Sequence, residues 1–133
     1  MAVTRFGVSL EEDLLEALDN YVKENHFPNR SQAIRHLIEK NLVERKWQCN
    51  RIVAGAIIML YDHHKHELIT KLNDIQHDFH HCILSSQHYH LSHENCLEIV
   101  VVKGEANELT SLADKLIALK GIKHGKLLMS QAD

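Results

Sequence analysis

Two imidazoles one residue apart and a thiol six residues further on, His88, His90 and Cys96, are the side chains best placed to do chemistry. The stretches Ile83 to His90 and Cys96 to Val102 read as strands. Alternate residues of a strand share a face, so His88 and His90 project together. The polar run Leu91-Ser92-His93-Glu94-Asn95 has turn character and can fold the chain back so that Cys96 approaches both rings. Neutral imidazoles and a thiolate ligate borderline-to-soft divalent metals rather than magnesium or calcium. The plainer alternative is a solvated histidine-rich hairpin with one buried thiol, but a hairpin seldom gathers these three groups by chance. Glu98, two residues beyond Cys96 on the same strand face, suits two roles equally. It is either an acceptor that orients a ligand imidazole or a solvated strand residue.

The elements that must position these groups follow from periodicity. Ile52 to Leu60 is a continuous apolar strand, and Asp62 to about Asp78 is a helix with Leu68, Ile69, Leu72 and Ile75 inward. The two strands of the His88–Cys96 hairpin come next. Asn107 to about Leu119 forms another helix stopped by Gly121, and Ile122 to Met129 is a last strand. The order βαββαβ implies a ferredoxin-like sandwich of one sheet and two helices, similar to an ACT-type domain, over residues 52–133.

Upstream the pattern differs. Val3 to Leu10 alternates, with Thr4, Phe6, Val8 and Leu10 on one face and Val3, Arg5, Gly7 and Ser9 on the other. Glu11-Glu12-Asp13 opens a helix, since acidic residues suit the positive end of the helix dipole. Leu14, Leu15, Leu18, Tyr21 and Val22 continue it at helical spacing, His26-Phe27-Pro28-Asn29 breaks it, and a second helix runs from Ser31 to about Lys46. A lone strand leaves its backbone groups unpaired, and a unit of this size cannot bury an adequate core. Residues 1–46 are therefore expected to be an intertwined dimer, two strands pairing over four helices. Residues 47–51, within the aperiodic Arg45–Arg51 stretch, are expected to be a linker, and the fold class is α+β.

Composition bounds the partners. The net charge is −3. Residues 1–51 carry 8 Lys/Arg against 8 Asp/Glu, so no basic tail announces nucleic acid and any DNA contact must come from a local surface. Three cysteines without framework spacing suit a reducing compartment, and the first residues are too acidic for a signal peptide, so a cytoplasmic location is expected. No run approaches membrane-spanning length. Five glycines include no phosphate-binding fingerprint, and a Cys beside two imidazoles fits ligation better than nucleophilic catalysis, so no enzyme is expected.

The strand, the two helices and the turn Pro28-Asn29-Arg30-Ser31-Gln32-Ala33-Ile34-Arg35 resemble a ribbon-helix-helix DNA-binding domain. That resemblance implies that Arg5, Gly7 and Ser9 on the outer ribbon face enter the major groove. It also implies that Asn29, Arg30 and Ser31 at the second helix's N-terminus seat on a phosphate. Joined to the second domain, with Gln76-His77 and Gln87-His88-Tyr89-His90-Leu91-Ser92-His93-Glu94-Asn95-Cys96-Leu97-Glu98-Ile99, the whole chain resembles the nickel-responsive NikR regulators. The resemblance implies one Ni(2+) per chain held by His88, His90, Cys96 and His77 from a neighbouring chain. It further implies a homotetramer with two DNA-binding dimers, a palindromic operator and repression. Ligand types alone leave zinc or copper open, as sensor or store, because planar geometry rather than donor identity favours nickel. A ribbon-helix-helix repressor with a small-molecule effector is the remaining alternative. Gln32 and His36 replace the acidic side chains that hold a hard cation near the DNA in relatives, so that site is not expected here. The remaining histidines, including His63, His64, His66, His80, His81, His93 and His124, read mostly as solvated faces, and Cys49 and Cys82 as buried thiols.

Overall fold

Ile-Val-Ala-Gly-Ala-Ile-Ile-Met-Leu-Tyr is rich in β-branched residues and forms the central strand β1 (Ile52–Tyr61). In the computed structural model, which describes residues 2–133, the chain divides into two units, one ending at Asn41 and the other spanning Leu42–Asp133. In the second unit β1 is followed by α3 (His66–Asp78), a short 3-10 turn (His80–Cys82), β2 (Ile83–His90), β3 (Cys96–Glu105), α4 (Ala106–Ile117) and β4 (Ile122–Met129). The four strands are antiparallel in the order β2-β3-β1-β4, which is the expected split-βαβ topology.

Burial alternates along β1 and β3. Val53, Ile57, Met59 and Tyr61 of β1, with Cys96, Val100 and Val102 of β3, face Leu68 and Leu72 of α3 and Leu109, Leu112 and Leu116 of α4. The opposite face, with Ala54, Ile58 and Leu60 of β1 and Leu97, Ile99 and Val101 of β3, stays half-buried. Gly121, at φ 108°, makes the left-handed turn that separates α4 from β4. Among the described residues no helix is long and apolar enough to cross a membrane.

The first unit holds α1 (Glu12–Glu24) and most of α2 (Arg30–Gln48). Glu12 and Asp13 lie in the first turn of α1, as the dipole argument requires. Asn29 caps α2: its Oδ1 accepts the Gln32 amide at 2.9 Å. Two expectations change. The segment Val3–Leu10 lies in no strand, because a ladder needs a partner and a single chain supplies none; Val3, Phe6, Val8 and Leu10 are all exposed. The linker expected at 47–51 is helical through Gln48. Trp47 holds that last turn, since it is buried in the second unit's core and its Nε1 donates to the Ser130 carbonyl at 2.8 Å. The chain leaves the helix only at Cys49 and Asn50, the latter at φ 51°.

Candidate functional site

The β2–β3 register sets the geometry. His90 stands directly opposite Cys96 and His88 opposite Glu98, so all four side chains share the face that looks toward the helices. Cys96 and Glu98 are each 1% exposed, whereas His88 and His90 lie exposed on the edge strand. Cys96 is bracketed on its other side by Tyr61 of β1. Burial raises the Cys96 thiol above its ordinary range.

Glu98 is the anchor of the cluster. A buried carboxyl group must be hydrogen-bonded, and this one accepts from the Tyr61 hydroxyl at 2.6 Å, Gln76 Nε2 at 2.8 Å and Ser86 Oγ at 2.8 Å. The His88 ring lies against the same group, with Nε2 3.8 Å from Glu98 Oε2 and Nδ1 3.4 Å from the Tyr61 hydroxyl. Burial and the Glu98 charge push the Tyr61 phenol far above its ordinary value, so it remains a donor to Glu98. Of the two roles open to Glu98, the solvated one is excluded by this burial. Sequence reasoning missed Tyr61, Gln76 and Ser86. Tyr61 looked like the end of an apolar strand, and only the closing of α3 onto the sheet brings Gln76 to Glu98.

His90 makes a second contact that spacing alone does not reveal. Its ring centroid is 4.4 Å from that of His63, which in turn is 4.0 Å from His64; His64 lies 4.7 Å from His93. His63 Nδ1 is buried without a hydrogen-bond partner, and desolvation and the neighbouring rings hold the His63 pKa below its ordinary value. His77 is exposed on the last turn of α3, and its ring stacks on His80 at 5.8 Å. Among the described residues His88, His90, Cys96 and His77 form no group whose donor atoms all lie within 4.8 Å of one another, with or without His77; Asp62-His63-His64 and His81-Cys82-Glu108 are the groups that do.

In the first unit Arg5, Gly7 and Ser9 lie exposed outside the helices, and Asn29, Arg30 and Ser31 lie exposed at the start of α2. Arg30 makes a bidentate pair with Asp19 of α1, at 2.7 and 2.9 Å. That pair holds the Asp19 carboxyl below its usual value.

The donor set fits a borderline divalent metal. Two imidazoles and a thiol share one face, and the buried carboxyl group of Glu98 is already fixed beside one of the rings. Comparison with known proteins points the same way. Residues 54–130 match the family model described as "NikR C terminal nickel binding domain", and residues 4–45 match that described as "Ribbon-helix-helix protein, copG family". A relative from Chlorobium phaeobacteroides is 50% identical over 131 residues, covering 98% of both chains. One from Desulfovibrio desulfuricans is 52% identical over 123 residues, covering 92% of this chain and 89% of its own. One from Thermococcus kodakarensis is 46% identical, covering 98% of this chain and 95% of its own. All three are named "Putative nickel-responsive regulator". A solved structure of an uncharacterized protein from Thermotoga maritima superposes with a TM-score of 0.54 at 18% identity, covering 59% of this chain and 98% of that one, a likeness of fold alone.

Proposed function

The chain belongs to the NikR family of nickel-responsive regulators and nickel is its metal; from that premise we propose that it binds an inverted-repeat operator as an oligomer when nickel is bound. The family is one of regulators rather than an enzyme class. The observation that carries the metal half is the His90–Cys96 cross-strand pair, with His88 one step along on the same face and Glu98 behind it. His88, His90 and Cys96 are the ligands from one chain, and His77, exposed and turned to its own neighbour His80, is the ligand given to a second copy. Bound there, nickel supplies a fixed dication that ties side chains of two chains together. Glu98, held by Tyr61, Gln76 and Ser86, stands 3.8 Å from His88 Nε2, placed to accept that N–H and orient the ring when His88 turns to the metal.

The DNA half rests on the unpaired segment Val3–Leu10. Phe6 and Val8 are 73% and 60% exposed, which a second copy relieves by pairing strands over the helices. Arg5, Gly7 and Ser9 then face the major groove from both strands, and the capped N-terminus of α2 at Asn29, Arg30 and Ser31 meets the phosphates. The half-buried apolar outer face of the sheet supports association of the second units into a tetramer. A nickel titration followed by both metal stoichiometry and operator gel shift tests this reading. The expected result is one nickel per chain, with retardation of an inverted repeat appearing only as that site fills. Equal operator binding by metal-free protein would leave the metal a structural element and refute the gating.

A further inference from the structure

At the other end of β2 lies a second set of ligating groups that the nickel reading does not use. Cys82, His81 and Glu108 bring a thiol, an imidazole and a carboxylate to one point, with donor atoms all within 4.8 Å of one another. The first two close the 3-10 turn before β2, and Glu108 sits in the first turn of α4, 26 residues beyond Cys82. The Cys82 thiol donates to Glu108 Oε2 at 3.2 Å, and His81 Nε2 lies 3.4 Å from the same oxygen. His90 lies eight positions beyond Cys82, about 26 Å at about 3.3 Å per strand residue, so no side chain serves both places.

We propose that His81, Cys82 and Glu108 form a second metal site that takes a zinc-class divalent cation in tetrahedral geometry, with solvent as the fourth ligand. Sulfur, nitrogen and oxygen donors together are the ligand types that zinc accepts, and three protein ligands leave the open position typical of a site in exchange with solvent. The arrangement has room for the change. His81 and Glu108 side chains are 54% and 44% exposed, so both can shift toward an ion beside the buried sulfur. Gly104 faces that sulfur from β3; a Cβ there would lie 3.2 Å from Cys82 Sγ, so the missing side chain keeps the sulfur unobstructed. Without metal the site is closed by its own proton. Burial and then Glu108 push the Cys82 thiol up to about 11, which makes it a poor redox or nucleophilic group as it stands. On binding, the S–H bond gives way to an S–metal bond, the proton leaves to solvent, and Glu108 exchanges the thiol hydrogen for the cation.

The full chain carrying Cys49→Ser, which removes a thiol that is exposed rather than buried as its sequence suggested, and loaded with no more than one nickel per chain isolates the site, because cobalt competes poorly for nickel-filled ligands. Added Co(2+) should give a thiolate-to-cobalt charge-transfer band that saturates at one equivalent per chain and is displaced by Zn(2+). Cys82→Ser should abolish the band. Glu108→Gln and His81→Gln, both at solvent-facing positions, should each weaken cobalt binding by at least about tenfold, while the nickel absorption is unchanged. No band in the nickel-loaded protein, or a band that survives Cys82→Ser, overturns the proposal. Should Cys82→Ser fail to fold, the Glu108→Gln and His81→Gln pair decides alone: cobalt affinity unmoved by both overturns it.

Discussion

His88 illustrates how much of a proposed ligand's behaviour belongs to the residues behind it. Its ring is exposed, yet it rests against a buried carboxyl group that three donors from three different elements hold in place. Glu98→Gln keeps the volume and removes the charge, so it should weaken nickel by about tenfold to a hundredfold, read by competition with a chelator, while the fold survives. Unchanged affinity would mean that Glu98 serves only the core. Cys96→Ala should remove the thiolate absorption and most of the affinity. A thiol must lose its proton to ligate, and burial holds the Cys96 thiol protonated at neutral pH. Nickel binding therefore releases a proton, and affinity should rise with pH across the neutral range. A flat profile in isothermal titrations at several pH values would speak against Cys96 as a ligand. The alternation that aligns His88 with His90 was legible in the sequence, because a strand has a fixed period. The support from Tyr61, Gln76 and Ser86 was not, because it depends on which helix closes over which strand.

Among the elements, β1, α3, β3 and α4 follow the apolar periodicities closely, since each presents a continuous face to one core, while the edge strands β2 and β4 touch it only through Ile83, Ile122 and Leu127. The departures sit where local pattern is outvoted. Arg45 to Gln48 has no clean period, yet Trp47 alone inserts into the core and its indole N–H finds a carbonyl, and that is enough to carry α2 onward. Trp47→Ala should cost about 3–5 kcal/mol of stability, as large aromatic truncations in cores do, measurable by urea denaturation of the full chain. A loss below about 1 kcal/mol would mean that the last turn of α2 is held by something else. The segment Val3–Leu10 fails the other way. Its pattern is a strand's, but a ladder needs a partner, which in the proposed dimer is a second copy and which a single chain does not supply.

For the whole molecule, the metal and the DNA are proposed to act on a shared equilibrium between arrangements of several chains. Nickel can shift that equilibrium only by its differential affinity for the competent arrangement, with about 1.4 kcal/mol per tenfold. Reciprocity then requires operator DNA to tighten nickel by the same factor, so nickel affinities with and without operator should differ and their ratio should equal the nickel-induced gain in operator affinity. Equal nickel affinities would uncouple the two sites. β2 carries two of the three proposed imidazole ligands and is hydrogen-bonded along one side only, with a register shift between Ile83 and Ser85 and nearly every residue exposed. Such a strand is the cheapest part of a sheet to peel away, and its opening needs no loss of the core. Nickel exchange should therefore be timed by the fraying of this one strand, so β2 amides should exchange hydrogen fastest in the sheet and slow when nickel clasps the edge shut.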